Sequence, residues 1–183
     1  MTRVLIPLAQ GCEELEAVTI MDILVRGGVE VLSASLDDNL VITASRGVRL
    51  LADTTLAAVE HQVFDMVVLP GGLPGADYLQ QDSRVITLLQ RTVAQGHYVA
   101  AICAAPKVLV HAGLLDGKQA TSYPGVIEQQ PGAGMRFVNA AVVEDGNVIT
   151  SRGPGTAIDF ALLLLERLTN KAVRTGVEQG LQR

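Results

Sequence analysis

The sequence predicts a doubly wound α/β sandwich: a mostly parallel sheet with helices on both faces, folded as one domain over residues 1–183. Three observations predict it. Short Val/Leu/Ile runs alternate with longer stretches of helical periodicity. Those runs are apolar on consecutive residues, as strands covered on both faces require. Finally, 183 residues with 49% hydrophobic and 18% charged side chains fill one core, leave no room for two, and exclude a disordered chain.

The first core strand is Arg3–Leu8, a buried apolar run. Residues 13–26 follow with helical spacing, and Gly27-Gly28 ends that helix. Glu30–Ser35 is the second strand. Asp37-Asp38-Asn39 then joins two strand-like runs and predicts a local antiparallel addition. Strands at 64–70 and 97–102 flank a helix at 84–95, and a further helix spans 105–112. Asp145-Gly146 lies between apolar runs at 141–144 and 147–151, a hairpin signal that brings in the last core strand, Val148–Ser151. Thr156, with Asp159 three residues on, resembles a capping box for the helix Ala157–Leu168. A weaker helix at 171–178 closes the chain, and no repeat or linker interrupts it.

Charge and composition remove several functions. Fourteen basic against 19 acidic residues give a net charge of −5 with no basic run, which argues against a nucleic-acid partner. Aromatics at 3%, with no Trp, offer no stacking platform for single strands. The N-terminus lacks a signal-peptide core, since its short apolar run meets Glu13 and Glu14. The richest apolar stretch, residues 157–165, contains Asp159 and falls far short of the roughly 20 residues a membrane helix needs. Two cysteines are too few for a disulfide scaffold and fit a reducing, cytoplasmic compartment. With only three scattered histidines beside them, no metal site is expected.

In open α/β sheets ligands bind beyond the carboxyl ends of the strands. Four segments there combine small residues with a helix start: 10–16, 71–75, 103–106 and 152–156. Cys103 sits between a strand and the helix opened by Ala104, Ala105 and Pro106, where a helix dipole lowers a thiol pKa. A buried core cysteine is the plainer alternative. Gly71-Gly72 suits an oxyanion hole, or simply a tight turn; a phosphate loop lacks its Lys-Ser/Thr and its glycine spacing. Glu13, Glu14 and Glu16 crowd the first turn of a helix, where acids are favoured whatever their function. Glu16, Thr19, Asp22 and Arg26 form a polar stripe that meets either water or a pocket. His111 lies roughly 12 Å beyond Cys103 along the helix, His97 is at the opposite end of its strand, and no histidine follows His111, so a Cys-His triad is disfavoured.

Taken together, Gly11-x-Glu13-Glu14-x-Glu16, Val68-Leu69-Pro70-Gly71-Gly72, Ala100-Ala101-Ile102-Cys103-Ala104-Ala105-Pro106 and Thr150-Ser151-Arg152-Gly153-Pro154-Gly155-Thr156 resemble the Parkinson-associated protein deglycase branch of the ThiJ/PfpI superfamily, near its bacterial YajL-type members. The resemblance implies a flavodoxin-like three-layer sandwich, a homodimer, and a reactive Cys103. It implies that Glu16 is protonated and donates to the sulfur, with the N–H groups of Gly72 and Ala104 as oxyanion hole. It places Gly71, Arg26, Arg46, Tyr123, Gly153 and Pro154 at a pocket or anion site. Cys12, after the first strand at the same sheet edge, is a candidate redox partner for Cys103.

The implied activity is cofactor-free conversion of 2-oxoaldehydes, or of their early adducts on proteins and other amines, to hydroxy acids. The alternative is an oxidative-stress sensor or redox-regulated chaperone that uses oxidation of Cys103. A peptidase or amidase is the weaker inheritance, because Ala104 stands where such members carry His after the nucleophile. Tyr123 likewise replaces a histidine that some relatives place before Pro124. A thiazole or thiamine role finds no supporting residue.

Overall fold

The computed structural model describes residues 2–183, and its frame is set by β1 (Arg3–Leu8), α1 (Glu14–Arg26) and β2 (Glu30–Ser35). The two strands pair in parallel from Arg3↔Glu30 to Leu8↔Ser35. Val4, Ile6 and Leu8 enter one core layer while Leu5 enters the other. Burial on both faces is why the run is continuously apolar. Glu13 caps α1: its carboxylate accepts from Glu16 N–H at 2.8 Å. Gly27 ends the helix, as expected from the Gly27-Gly28 pair.

After β3 (Val41–Thr43), β4 (Arg49–Leu51), β5 (Thr54–Thr55) and α2 (Leu56–Val59), the chain returns to the sheet as β6 (Met66–Leu69). Then follow α3 (Gly75–Gln81), α4 (Ser83–Ala94), β7 (Tyr98–Ile102), α5 (Pro106–His111), β8 (Gln119–Ala120), β9 (Arg136–Phe137), β10 (Val142–Asp145), β11 (Val148–Ser151), α6 (Ala157–Leu168) and α7 (Lys171–Gly180). Among the described residues the main sheet has seven strands in the order β10-β11-β7-β6-β1-β2-β5, and within it only the β10–β11 pair is antiparallel, the hairpin that Asp145-Gly146 predicts. One face is covered by α1 and α6 through Ile20, Ile23, Leu24, Phe160 and Leu165. The other is covered by α2, α4 and α5 through Leu56, Leu88, Leu89, Val108 and Leu109.

Two local expectations are corrected. Asp37-Asp38-Asn39 is not an antiparallel hairpin turn, because β3 pairs with β4 in a separate two-stranded sheet. The Asp37 carboxylate instead accepts from its local neighbours, Asn39 N–H at 2.9 Å and Ser35 Oγ at 3.2 Å, which turns the chain out of the main sheet. Thr156 does not cap α6 with its side chain. Its hydroxyl is engaged by Gly153 and by Ser151 Oγ, 2.7 Å away, inside a one-turn 3-10 helix at Pro154–Thr156.

Candidate active site

Cys103 leaves the end of β7 with φ +63, a left-handed conformation uncommon for a residue with a side chain. Its backbone is pinned on both sides: Cys103 N–H donates to Ser151 C=O at 3.0 Å, and Tyr123 N–H donates to Cys103 C=O at 2.8 Å. The side chain therefore has a fixed exit direction, 9% exposed. It lies at the base of a cavity of about 270 Å³.

The thiol is not acidified as its place before a helix predicts. Burial comes first, and the nearby Glu16 charge and a hydrogen bond to that carboxyl add to it, pushing Cys103 up to about 12. The N–H groups of Gly72 and Ala104 act the other way by hydrogen bonding to the sulfur, but they are outweighed. Moreover, α5 begins only at Pro106 and has six residues, a short source of dipole.

Glu16 lies in the first turn of α1 and is 0% exposed. Its Oε2 accepts from Gly71 N–H at 2.7 Å, while Oε1 is buried with no hydrogen-bond partner of standard geometry. Burial pushes the carboxyl up to about 7, against the lowering effect of Gly71 N–H and of Cys103. This group thus exchanges its proton near neutral pH beside a sulfur.

The two glycines are needed for this approach. A Cβ on Gly71 would lie 2.7 Å from Cys103 Cβ and 2.8 Å from Glu16 Oε2. Gly72 has φ +86, and a Cβ there would meet Glu13 N at 2.4 Å.

Of the residues predicted for the site, Cys103, Gly72, Ala104, Arg46, Tyr123 and Pro154 line the cavity. Glu16 and Gly71 lie together against Cys103 behind the wall, and Gly153 packs beside Tyr123. Arg26 does not line this cavity: it lies roughly 15 Å along the helix axis from Glu16. There it bonds Asp22 at 2.6 Å and borders a separate groove with Gly176 and Gly180. The stripe on α1 splits because Glu16 is buried whereas Asp22 and Arg26 are exposed. Cys12 is a free thiol in the core, pushed up to about 12 by burial and by the neighbouring glutamates.

Sequence reasoning missed Ser45, Leu73 and Val126, which complete the lining, and left Glu13 as a generic first-turn acid although it also faces the cavity. The turn between β3 and β4 could have been sought at Ser45-Arg46-Gly47; Leu73 and Val126 carry no signal. A larger cavity of about 450 Å³, bordered by Ala9, Leu36, Asp37 and Tyr78, holds none of these reactive groups, so volume alone does not locate the chemistry. Among the described residues, no group of three or more His, Cys, Asp or Glu is placed to hold a metal ion.

Comparison with known proteins converges on one family. A model of the DJ-1/PfpI family matches residues 2–167. The chain is 44% identical to Drosophila melanogaster protein dj-1beta over 177 residues, covering 97% of this chain and 95% of that one. It is 36% identical over 159 residues to a Caenorhabditis elegans protein named glutathione-independent glyoxalase DJR-1.2, covering 87% and 84%. Among solved structures, oxidized Toxoplasma gondii DJ-1 superposes with a TM-score of 0.95 at 41% identity, covering 100% of this chain and 98% of that one. The chain spans 43% of the length of the longer Arabidopsis thaliana DJ-1 homolog A.

Proposed function

The chain belongs to the DJ-1/PfpI family, and from that premise we propose that it is a cysteine-dependent enzyme converting 2-oxoaldehydes such as methylglyoxal, or their early adducts on proteins and other amines, to hydroxy acids. The observation that carries this reading is the buried Glu16 carboxyl, with one oxygen unpartnered, beside Cys103 at the base of a small cavity. The glyoxalase name of the C. elegans relative supports it. The nearer affinity to YajL-type members rests on the four sequence motifs.

Cys103 Sγ adds to the aldehyde carbon and passes its proton to the Glu16 carboxylate, whose raised proton affinity makes it a stronger base than an ordinary carboxylate. The oxygen of the hemithioacetal develops charge against the N–H groups of Gly72 and Ala104 and then takes the thiol's proton back from Glu16. Glu16, a carboxylate again, moves a proton from the former aldehyde carbon to the neighbouring carbonyl carbon, through an enediol. One carbon is oxidised to a thioester and the other reduced to an alcohol, with no external electron acceptor. Water cleaves the thioester, releasing the hydroxy acid and the Cys103 thiol.

Lactate formation from methylglyoxal by freshly reduced protein tests the reading. Wild type should turn over and Cys103→Ser should not; a folded, reduced wild type that makes no lactate refutes it.

A second reading, an oxidative-stress sensor or redox-regulated chaperone, is favoured by the same two N–H groups. Peroxide would convert the Cys103 thiolate to sulfenic acid with loss of hydroxide, and Gly72 and Ala104 would donate to the added oxygen. Glu16→Gln separates the readings, since turnover needs a proton shuttle and oxidation does not.

A homodimer, implied by the resemblance, is consistent with Leu15, Val18 and Val25 standing about half exposed on α1. The free thiols suit a reducing cytoplasmic setting. No helix among the described residues is long and apolar enough to cross a membrane.

A further inference from the structure

The β3–β4 hairpin stands outside the seven-stranded sheet, yet its tip supplies a wall of the cysteine cavity through Ser45 and Arg46. The segment after β1 ties that tip down. Gly11 N–H donates to Thr43 C=O at 2.8 Å, and Ser45 N–H donates to Cys12 C=O at 2.8 Å. The Gln10 amide accepts from Thr43 N–H at 2.8 Å and donates to Val41 C=O at 3.0 Å. Glu14 adds charge to this joint. Its Oε1 accepts from Arg46 N–H at 2.9 Å, and its Oε2 accepts from Ser45 Oγ at 3.1 Å and from Arg46 N–H at 3.2 Å. Burial opposes its ionisation, but its own N–H, the Ser45 hydroxyl and the N–H groups of Arg46 and Val48 together hold the carboxyl below its ordinary value.

Among the described residues, Arg46 is the one basic residue lining the cavity, beside the single acidic one, Glu13. A guanidinium acts on a reactant only if its backbone is held where the side chain can reach, and the Arg46 backbone is held by Glu14. We propose that Glu14 is a positioning residue: it fixes the hairpin tip so that Arg46 biases the Cys103 cavity toward anionic reactants. This rests on Cys103 being the reacting thiol, but not on aldehyde turnover.

The test compares alkylation of Cys103 by iodoacetate, an anion, with alkylation by iodoacetamide, its neutral counterpart, each located by peptide mass spectrometry so that Cys12 is scored separately. Arg46→Ala should lower the iodoacetate-to-iodoacetamide rate ratio about 10-fold, and Glu14→Gln about fivefold. Ser45→Ala, which removes one of the bonds to Glu14, should lower it about twofold. High salt should shrink the wild-type ratio toward that of Arg46→Ala. A wild-type ratio in Glu14→Gln, or equal slowing of both reagents there, overturns the proposal. If Glu14→Gln does not fold, a wild-type ratio in Ser45→Ala overturns it instead. A wild type that makes no lactate yet shows these ratios refutes the enzyme reading and leaves this inference standing.

Discussion

Glu14 and Glu16 stand in the same turn of α1, two residues apart, but Glu16 is fully buried beside Cys103 whereas Glu14 lies shallower, against the β3–β4 tip. Glu14 meets several donors on the β3–β4 tip and is held below its ordinary pKa; Glu16 meets only Gly71 N–H and the Cys103 thiol among the described residues, and is pushed up to about 7. Depth of burial and the number of donors supplied to the group together set its protonation. One carboxylate is consumed in building the cavity wall, and the other keeps a proton available for chemistry.

Removing the proton from Glu16 should break this contrast with the largest effect. Glu16→Gln keeps an acceptor for Gly71 N–H but cannot shuttle protons, so kcat for lactate formation should fall by about 10²–10⁴. Stability should move in the opposite direction. A folded-state pKa of about 7 against 4.5 means that the native protein binds the extra proton, so the Glu16 contribution to wild-type stability is full below 4.5 and is lost as pH rises through 7. Denaturation at pH 8 should therefore find Glu16→Gln more stable than wild type by up to about 3 kcal/mol, with the gain gone at pH 4. Equal melting profiles at both pH values would show that Glu16 is not strained by ionisation.

Gly71→Ala tests whether sulfur and carboxyl need their close approach. The new Cβ would meet Cys103 Cβ and Glu16 Oε2 below contact distance, so about 1–3 kcal/mol of stability should be lost on chemical denaturation. Lactate turnover should fall with the displaced geometry.

Glu14→Gln sharpens the other side of the contrast. Loss of charge-assisted bonds to Ser45 and Arg46 should cost about 1–2 kcal/mol at pH 7. Because the folded-state pKa is depressed, that contribution is present above 4.5 and disappears as pH falls through the lower folded value. Urea titrations of the two proteins should thus converge in acid, as for Glu16→Gln, but at neutral pH wild type should be the more stable of this pair rather than the less stable.

The sheet was legible in the sequence because its signal is local. Arg3–Leu8 is apolar throughout after its first residue, Glu30–Ser35 and Val148–Ser151 carry Val-Leu and Val-Ile pairs, and Ala157–Leu168 carries its helical period in its own residues. Cys103 and Gly72 were legible as reactive candidates because small residues follow apolar strands. The choice of Glu16 among three glutamates came from resemblance, since periodicity could not tell which carboxyl turns inward. The direction of the Cys103 shift was misread because the sequence displays a helix start but not the desolvation and carboxyl that outweigh it. Glu14 was opaque for another reason: its partners Ser45 and Arg46 lie 31 and 32 residues away, on a hairpin whose turn went unrecognised.

Arg26 gives the smallest predicted effect and tests the limits of the stripe that first linked it to Glu16. Both residues belong to one polar set on α1, but helical spacing places residues on a face without saying what that face meets. Glu16 meets Gly71 and Cys103; Arg26, at the other end of the helix, meets Asp22 in an exposed i,i+4 pair. Such a pair holds its geometry weakly and transmits little to a buried site. Arg26→Ala should therefore leave kcat/KM for methylglyoxal within about twofold of wild type. A larger loss at unchanged subunit association would mean that the two ends of α1 act on one site, and the division of the stripe would have to be abandoned.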